Sequence, residues 1–75
     1  MAVIPERIKR KREEHRYSQR GLAKAANVPY SAVENIERGL VKSPKYVTIV
    51  AIAAVLQEDP AYFFEPDAVN NQQTA

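Results

Sequence analysis

Apolar positions recur at helical spacing along this chain, and the polar residues between them act as punctuation. Leu22, Ala23 and Ala26 form one stripe, opened by Ser18 and interrupted by Asn27. Val33 and Ile36 form the next, restarted at Val28-Pro29 and closed by Gly39. Spacings of three and four residues put such positions on one face of a helix. Residues 18–39 therefore predict two short helices, about 18–26 and 29–38, joined by a tight turn. Beside its anchors the second helix leaves Tyr30, Ser31, Ala32 and Asn35, a polar but uncharged face that suits a rod lying in a DNA groove.

The flanking segments read as support for that pair. Pro5 and Glu6 suit the first turn of a helix over about 5–15. Its inward stripe is thin: Ile4, Ile8, the Lys11/Arg12 pair and His15, with an alkyl stem covering apolar neighbours. Met1–Ile4 is expected as a short, partly frayed lead-in, and Tyr17 as a plug between the first two helices. Ser18 offers a capping oxygen to the second helix. Gly21 inside it costs roughly 0.5–1 kcal/mol against alanine. Asn27 suits a left-handed residue and Gly39 a C-terminal cap. After a loop over Leu40–Ser43, Ser43-Pro44 leads into a fourth helix over about 45–57. Val47, Ile49, Val50, Ile52, Ala53, Val55 and Leu56 predict that it is buried on more than one face. Asp59-Pro60 starts a short fifth helix, which Pro66 ends near Phe64. Residues 1–65 thus read as one domain, and 66–75 as a flexible polar tail.

Composition narrows the function. The 75 residues make one small domain, near the lower limit for a self-sufficient core. There is no cysteine, hence no disulfide framework and no thiolate metal site, which fits a reducing cytoplasm. The longest mainly apolar run, Tyr46–Leu56, is too short to span a bilayer, and charges beginning at Glu6 leave no signal-peptide core. Net charge is only +2, but it is unevenly spread. Residues 1–45 hold all eleven Lys and Arg against five acids, a net +6; residues 46–75 hold four acids and no base, a net −4. A basic first half matches a polyanion, and an apolar second half matches core and self-association.

With those elements in place, the chain resembles the Cro/repressor-type helix-turn-helix family, also called the XRE family, from about residue 4 to about residue 64. The resemblance rests on Arg-Ile-Lys-Arg-Lys-Arg (7–12), Ser-Gln-Arg-Gly-Leu-Ala (18–23), Asn-Val-Pro-Tyr-Ser-Ala-Val (27–33), Ile-Glu-Arg-Gly (36–39), Ser-Pro (43–44) and Ile-Val-Ala-Ile-Ala-Ala-Val-Leu (49–56). It implies an all-α, five-helix fold. The short length and the Phe63-Phe64-Glu65 ending look like restriction–modification controller proteins or small phage regulators. Four positions depart from the family pattern. Lys11 stands where an aliphatic residue is usual, Tyr17 for a common leucine, Gly21 where an acid is frequent, and Pro29 where a capping Ser or Thr is frequent.

The resemblance also implies roles. Gln19 matches a residue that contacts a phosphate and orients the third helix. Tyr30, Ser31 and Asn35 match positions that reach base edges, and Ala32 shares their face, where it can touch a thymine methyl. Asn35 is the best candidate for direct readout, since asparagine pairs with both N6 and N7 of adenine. Arg38 matches a phosphate or guanine contact at the groove edge, and Lys42 and Lys45 match a loop that grips the backbone. Arg12 and Glu37 match a partly buried salt bridge, which keeps Arg12 from DNA and leaves Arg10 and Arg16 as phosphate candidates.

Dimerisation is expected through helices 4 and 5, by way of Val50, Ala54, Tyr62, Phe63 and Phe64; three aromatics in so short a helix exceed what one side can bury. The function expected is a homodimeric, sequence-specific regulator of transcription that binds a near-palindromic double-stranded operator. The rival is an antitoxin-like adaptor that uses the same fold to bind a protein. An enzyme is not expected: the sequence offers no nucleophile–base pair, metal cluster or phosphate-cradling glycine loop. Neither cofactor, metal, membrane contact nor small-molecule effector is expected, and the lone His15 reads as a helix-end group.

Overall fold

The computed structural model describes residues 2–66. Four α-helices follow in order: α1 (Pro5–Glu14), α2 (Gln19–Ala26), α3 (Tyr30–Glu37) and α4 (Tyr46–Leu56). A single 3-10 turn, Pro60–Phe63, stands where a fifth helix was expected. Its Asp59 cap forms as anticipated, accepting from the Ala61 amide at 2.9 Å. The flexible tail expected at 66–75 lies, beyond Pro66, outside the described residues.

The apolar stripes converge. Ile8 of α1, Leu22 of α2, Val33 and Ile36 of α3, Ile49, Ile52 and Leu56 of α4 and Phe63 of the 3-10 turn are all sealed from solvent. α2 packs on α3 and α4, α1 closes over α3 and the 3-10 turn, and the turn in turn lies on α4. Arg12 enters this interior at 9% exposure, paired with the buried side chain of Glu37.

All four helices end alike, with one residue in the left-handed region. These residues are Arg16 (φ 62°), Asn27 (58°), Gly39 (78°) and Gln57 (58°). In each case the next amide reaches back a full turn: Tyr17 to Arg12, Val28 to Ala23, Leu40 to Asn35 and Glu58 to Ala53, all at 3.0 Å. That pattern satisfies carbonyls that the helix leaves without partners. Gly39 and Asn27 suit the conformation; Arg16 and Gln57 hold it at a cost of about 1 kcal/mol each.

Two expectations are corrected. The lead-in is not frayed. The Val3 amide donates to the Lys42 carbonyl at 2.9 Å, Ile4 to Phe63 at 2.7 Å, and the Glu65 amide to Ala2 at 2.8 Å. Val3 and Phe64 form an antiparallel bridge, with Val3 only 4% exposed. Nor is α4 fully buried on more than one face. Its Ile49, Ile52, Ala53 and Leu56 face the core, while Tyr46, Val47, Val50 and Ala54 stay at the surface. Ala51 and Val55 pack half-buried against the core beside that stripe, so burial fades around the helix without reaching all of it.

Candidate nucleic-acid interface

The site is built around α3. Val33 and Ile36 pin it to the core, and the stripe they define turns the opposite side outward. On that side Ser31 and Arg38 are exposed, while Tyr30, Ala32 and Asn35 are half-buried. Ser31, Ala32 and Asn35 line a shallow cleft of about 200 Å³, closed from the other side by Val41, Lys45 and Thr48. The structure thus brings the uncharged face of α3 and Lys45 together. Thr48, at the cleft's far wall, was missed because its helix reads as core.

α2 sets the angle of this rod. The Ser18 hydroxyl accepts from the Gly21 amide at 2.9 Å, forming the expected cap. A Cβ on Gly21 would lie 3.1 Å from that same oxygen, so the glycine leaves the cap its room.

The C-terminal end of α3 is fastened by charge. Arg12 grips Glu37 with both sides of its fork, Nε to Oε2 at 2.7 Å and Nη2 to Oε1 at 2.9 Å. Its third nitrogen donates to the Tyr17 carbonyl at 2.9 Å, at the junction of α1 and α2. The Glu37 carboxylate is 3% exposed. Hydrogen bonding to Glu37 raises the Arg12 pKa above its ordinary value, against the opposing effect of burial. Gln19 joins this network: its amide donates to Glu37 Oε1 at 3.0 Å. That leaves it one N–H to donate to a phosphate oxygen.

Outside the network, unpaired positive charge lies on α2, at the end of α3 and in the segments beside them. Arg16, Arg20, Arg38, Lys42 and Lys45 are all exposed, and among the described residues none has an ion-pair partner. Arg20, which sequence reasoning passed over, stacks on the Tyr30 ring with its guanidinium carbon 4.3 Å from the centroid.

Three expected residues fall elsewhere. Arg10 lies two positions from Arg12, on the opposite side of α1 from α3. There it donates to the Tyr62 hydroxyl at 2.8 Å, a bond that raises its pKa. Phe63 is fully enclosed and Phe64 is 6% exposed, so neither offers interface area. Phe64 stacks on Tyr46 at 5.9 Å and Phe63 meets Tyr62 edge-on at 5.3 Å. The extra aromatic surface is absorbed by the lead-in, which lies against it, and by Tyr46. Tyr62 itself is half-buried under Arg7, whose guanidinium is 4.8 Å from its ring centroid. Of the expected interface, Val50 and Ala54 remain at the surface.

Among the described residues no three His, Cys, Asp or Glu side chains gather as a metal site, and no helix is long and apolar enough to cross a membrane.

The helix-turn-helix family matches residues 8–63. The N-terminal DNA-binding domain of SinR from Bacillus subtilis superposes with a TM-score of 0.79 and 32% identity, over 84% of this chain and 91% of that one. SinR in the SinR/SinI protein complex gives 0.80 and 28%, over 96% and 75%. The P22 c2 repressor in complex with a synthetic operator gives 0.76 and 27%, over 89% and 100%. No curated protein matches the chain.

Proposed function

Because the chain belongs to the helix-turn-helix family, of Cro/repressor type, we propose that it is a sequence-specific regulator of transcription that binds double-stranded DNA as a homodimer. The observation that carries this reading is the surface of α3. An uncharged face of Ser31, Ala32 and Asn35 meets Lys45 across a shallow cleft, and Arg16, Arg20, Arg38 and Lys42, on α2, at the end of α3 and in the segments beside them, are exposed without ion-pair partners among the described residues. Uncharged hydrogen-bonding groups read base edges, and flanking cations fix the helix on phosphates. The P22 c2 repressor's complex with an operator supports the same use of the fold.

In this reading Asn35 pairs with an adenine, Ser31 and Ala32 meet neighbouring bases, and Gln19, Arg16, Arg38, Lys42 and Lys45 hold the backbone. Two copies meet through α4, where Val47, Val50 and Ala54 lie one helical turn apart on the surface. Their α3 helices then enter successive major grooves about 34 Å apart, on a near-palindromic operator. Selection of bound fragments from a random DNA pool tests the reading. It should return paired half-sites about one helical turn apart, with affinity falling steeply as salt rises. Asn35→Ala should relax preference at one base per half-site, at a cost of about 1–3 kcal/mol. Even loss over all sequences would remove Asn35 from the readout.

A second reading, the antitoxin-like adaptor, is favoured by the same α4 surface. Val47 is 70% exposed, and SinR is found in complex with another protein. Sedimentation of the purified chain separates the two: a monomer that binds DNA only with an added protein partner supports the adaptor.

A further inference from the structure

α2 and α3 meet in the core through Leu22, Ala23, Val33 and Ile36, and Gln19 of α2 joins the Arg12–Glu37 network. A further link lies outside both, at the surface near their N-terminal ends. Arg20 is the second residue of α2 and Tyr30 the first of α3. The 4.3 Å between the Arg20 guanidinium carbon and the Tyr30 ring centroid is shorter than either cation–aromatic contact made over Tyr62. Tyr30 is half-buried against the core and so forms a fixed shelf; Arg20 is exposed and so can be reached.

The chemistry of the stack decides what Arg20 can still do. A guanidinium on a ring uses its flat face, while its five N–H donors point outward in its own plane. Among the described residues Arg20 donates no side-chain hydrogen bond and makes no ion pair. A planar fork with a free edge, already oriented at the start of α3, matches the O6 and N7 acceptors of guanine in the major groove. Because the ring already restricts the side chain, less freedom is lost when it engages.

Building on the DNA-binding reading above, we propose that Arg20, carried on Tyr30, reads a guanine in each half-site. Tyr30 is then a positioning residue that acts through the face of its ring, and its hydroxyl is dispensable. Specificity at the outer part of the half-site comes from a pair that spans both helices of the motif, beyond α3 alone.

The test takes the operator selected by the wild-type chain and a series in which each base pair is changed in turn. Affinities are measured for Arg20→Ala, Arg20→Lys, Tyr30→Phe, Tyr30→Ala and the double variant Arg20→Ala/Tyr30→Ala. Arg20→Ala should lose roughly 5- to 100-fold on the intact operator and become indifferent to one G·C pair. Tyr30→Ala should lose selectivity at that same pair, and the double variant should be no worse than Arg20→Ala, since the two act as one unit. Tyr30→Phe should stay within about threefold of wild type, because phenylalanine offers the same ring face. Arg20→Lys should fall between wild type and alanine at the guanine, because an ammonium can still donate to O6 and N7 but lacks the planar fork and its stack on the ring.

Equal weakening of Arg20→Ala on every sequence, with the salt slope reduced by about one, would make Arg20 a phosphate contact and overturn the proposal. So would a Tyr30→Phe variant as poor as Tyr30→Ala. Thermal melting of each variant separates these outcomes from misfolding: the Arg20 variants and Tyr30→Phe should match wild type, and the Tyr30→Ala variants should melt lower, because the ring packs on the core, yet stay folded at the temperature of the binding assay. A wild-type chain that selects no sequence would overturn the DNA-binding reading itself.

Discussion

At its C-terminal end α3 is fastened by a buried charge network, in which Glu37 takes three hydrogen bonds from Arg12 and Gln19. At its N-terminal end it starts at Pro29, with no capping side chain, and meets α2 at the surface through the stack of Arg20 on Tyr30. One end is rigid, dry and directed inward; the other is solvated and still has donors to offer. The contrast divides the labour along an eight-residue helix. Orientation is set where the helix touches α1 and α2, which frees the other end to be chosen for what it reads. Buried ion pairs add little net stability, because desolvation offsets attraction, but they fix geometry strongly once both partners are present.

Breaking the buried end should have the largest effect. Glu37→Ala leaves the Arg12 guanidinium unpaired inside the fold and should cost about 3–5 kcal/mol, read as a fall in the urea midpoint. Replacing both partners with apolar residues, as in Arg12→Met with Glu37→Leu, should recover most of that loss. The pH dependence follows the sign of the Arg12 shift. A folded-state pKa held above the ordinary guanidinium value means a contribution present in full below that value and lost only as pH rises through the folded one. From neutral pH into the mildly alkaline range the Arg12 contribution should therefore stay flat.

A smaller effect is expected where α1 turns into α2. Arg16 holds a left-handed conformation that glycine adopts freely. Arg16→Gly should raise stability by up to about 1 kcal/mol while lowering the salt slope of DNA binding by about one, if Arg16 contacts a phosphate. A stability gain with unchanged binding would place it off the DNA. The smallest effect belongs to the exposed end of α3. Pro29→Ser supplies a capping oxygen at a residue whose backbone is already extended (φ −63°, ψ 143°), and should stabilise by a few tenths to about 1 kcal/mol in thermal melting. No change there would mean that the rigidity of proline already does the cap's work.

What the sequence discloses about this molecule is mostly local. Ser18, Asn27 and Gly39 mark the ends of α2 and α3 to within a residue or so, because a cap or a left-handed residue acts within one helical turn. The all-helical character follows from the apolar spacing, and Arg12 and Glu37 are found together because the family pattern supplies a contact that periodicity alone would not. What escapes is contact over long separations. Val3 and Phe64 meet across the whole domain, and neither residue carries a sign of the other. That unseen contact is why Phe63 and Phe64 are buried and not left for a partner. The left-handed Arg16 and Gln57 also carry no local signal, since neither is a residue that favours such geometry. Arg20 escaped for a different reason: the ring it stacks on lies ten positions away across a turn.

The clasp between the lead-in and the end of the domain has a mechanical consequence. Ala2 and Glu65 are hydrogen-bonded neighbours on antiparallel segments, so a pull on the two ends loads the clasp as a zipper. The bond from Glu65 to Ala2 takes the force first, then that from Ile4 to Phe63, one at a time and never in shear. Tension between the ends should therefore peel Val3 and Phe64 out of the core before it reaches α2 and α3. The bond from Val3 to the Lys42 carbonyl carries part of that strain into the loop after α3, and α2 with the start of α3 should feel it last.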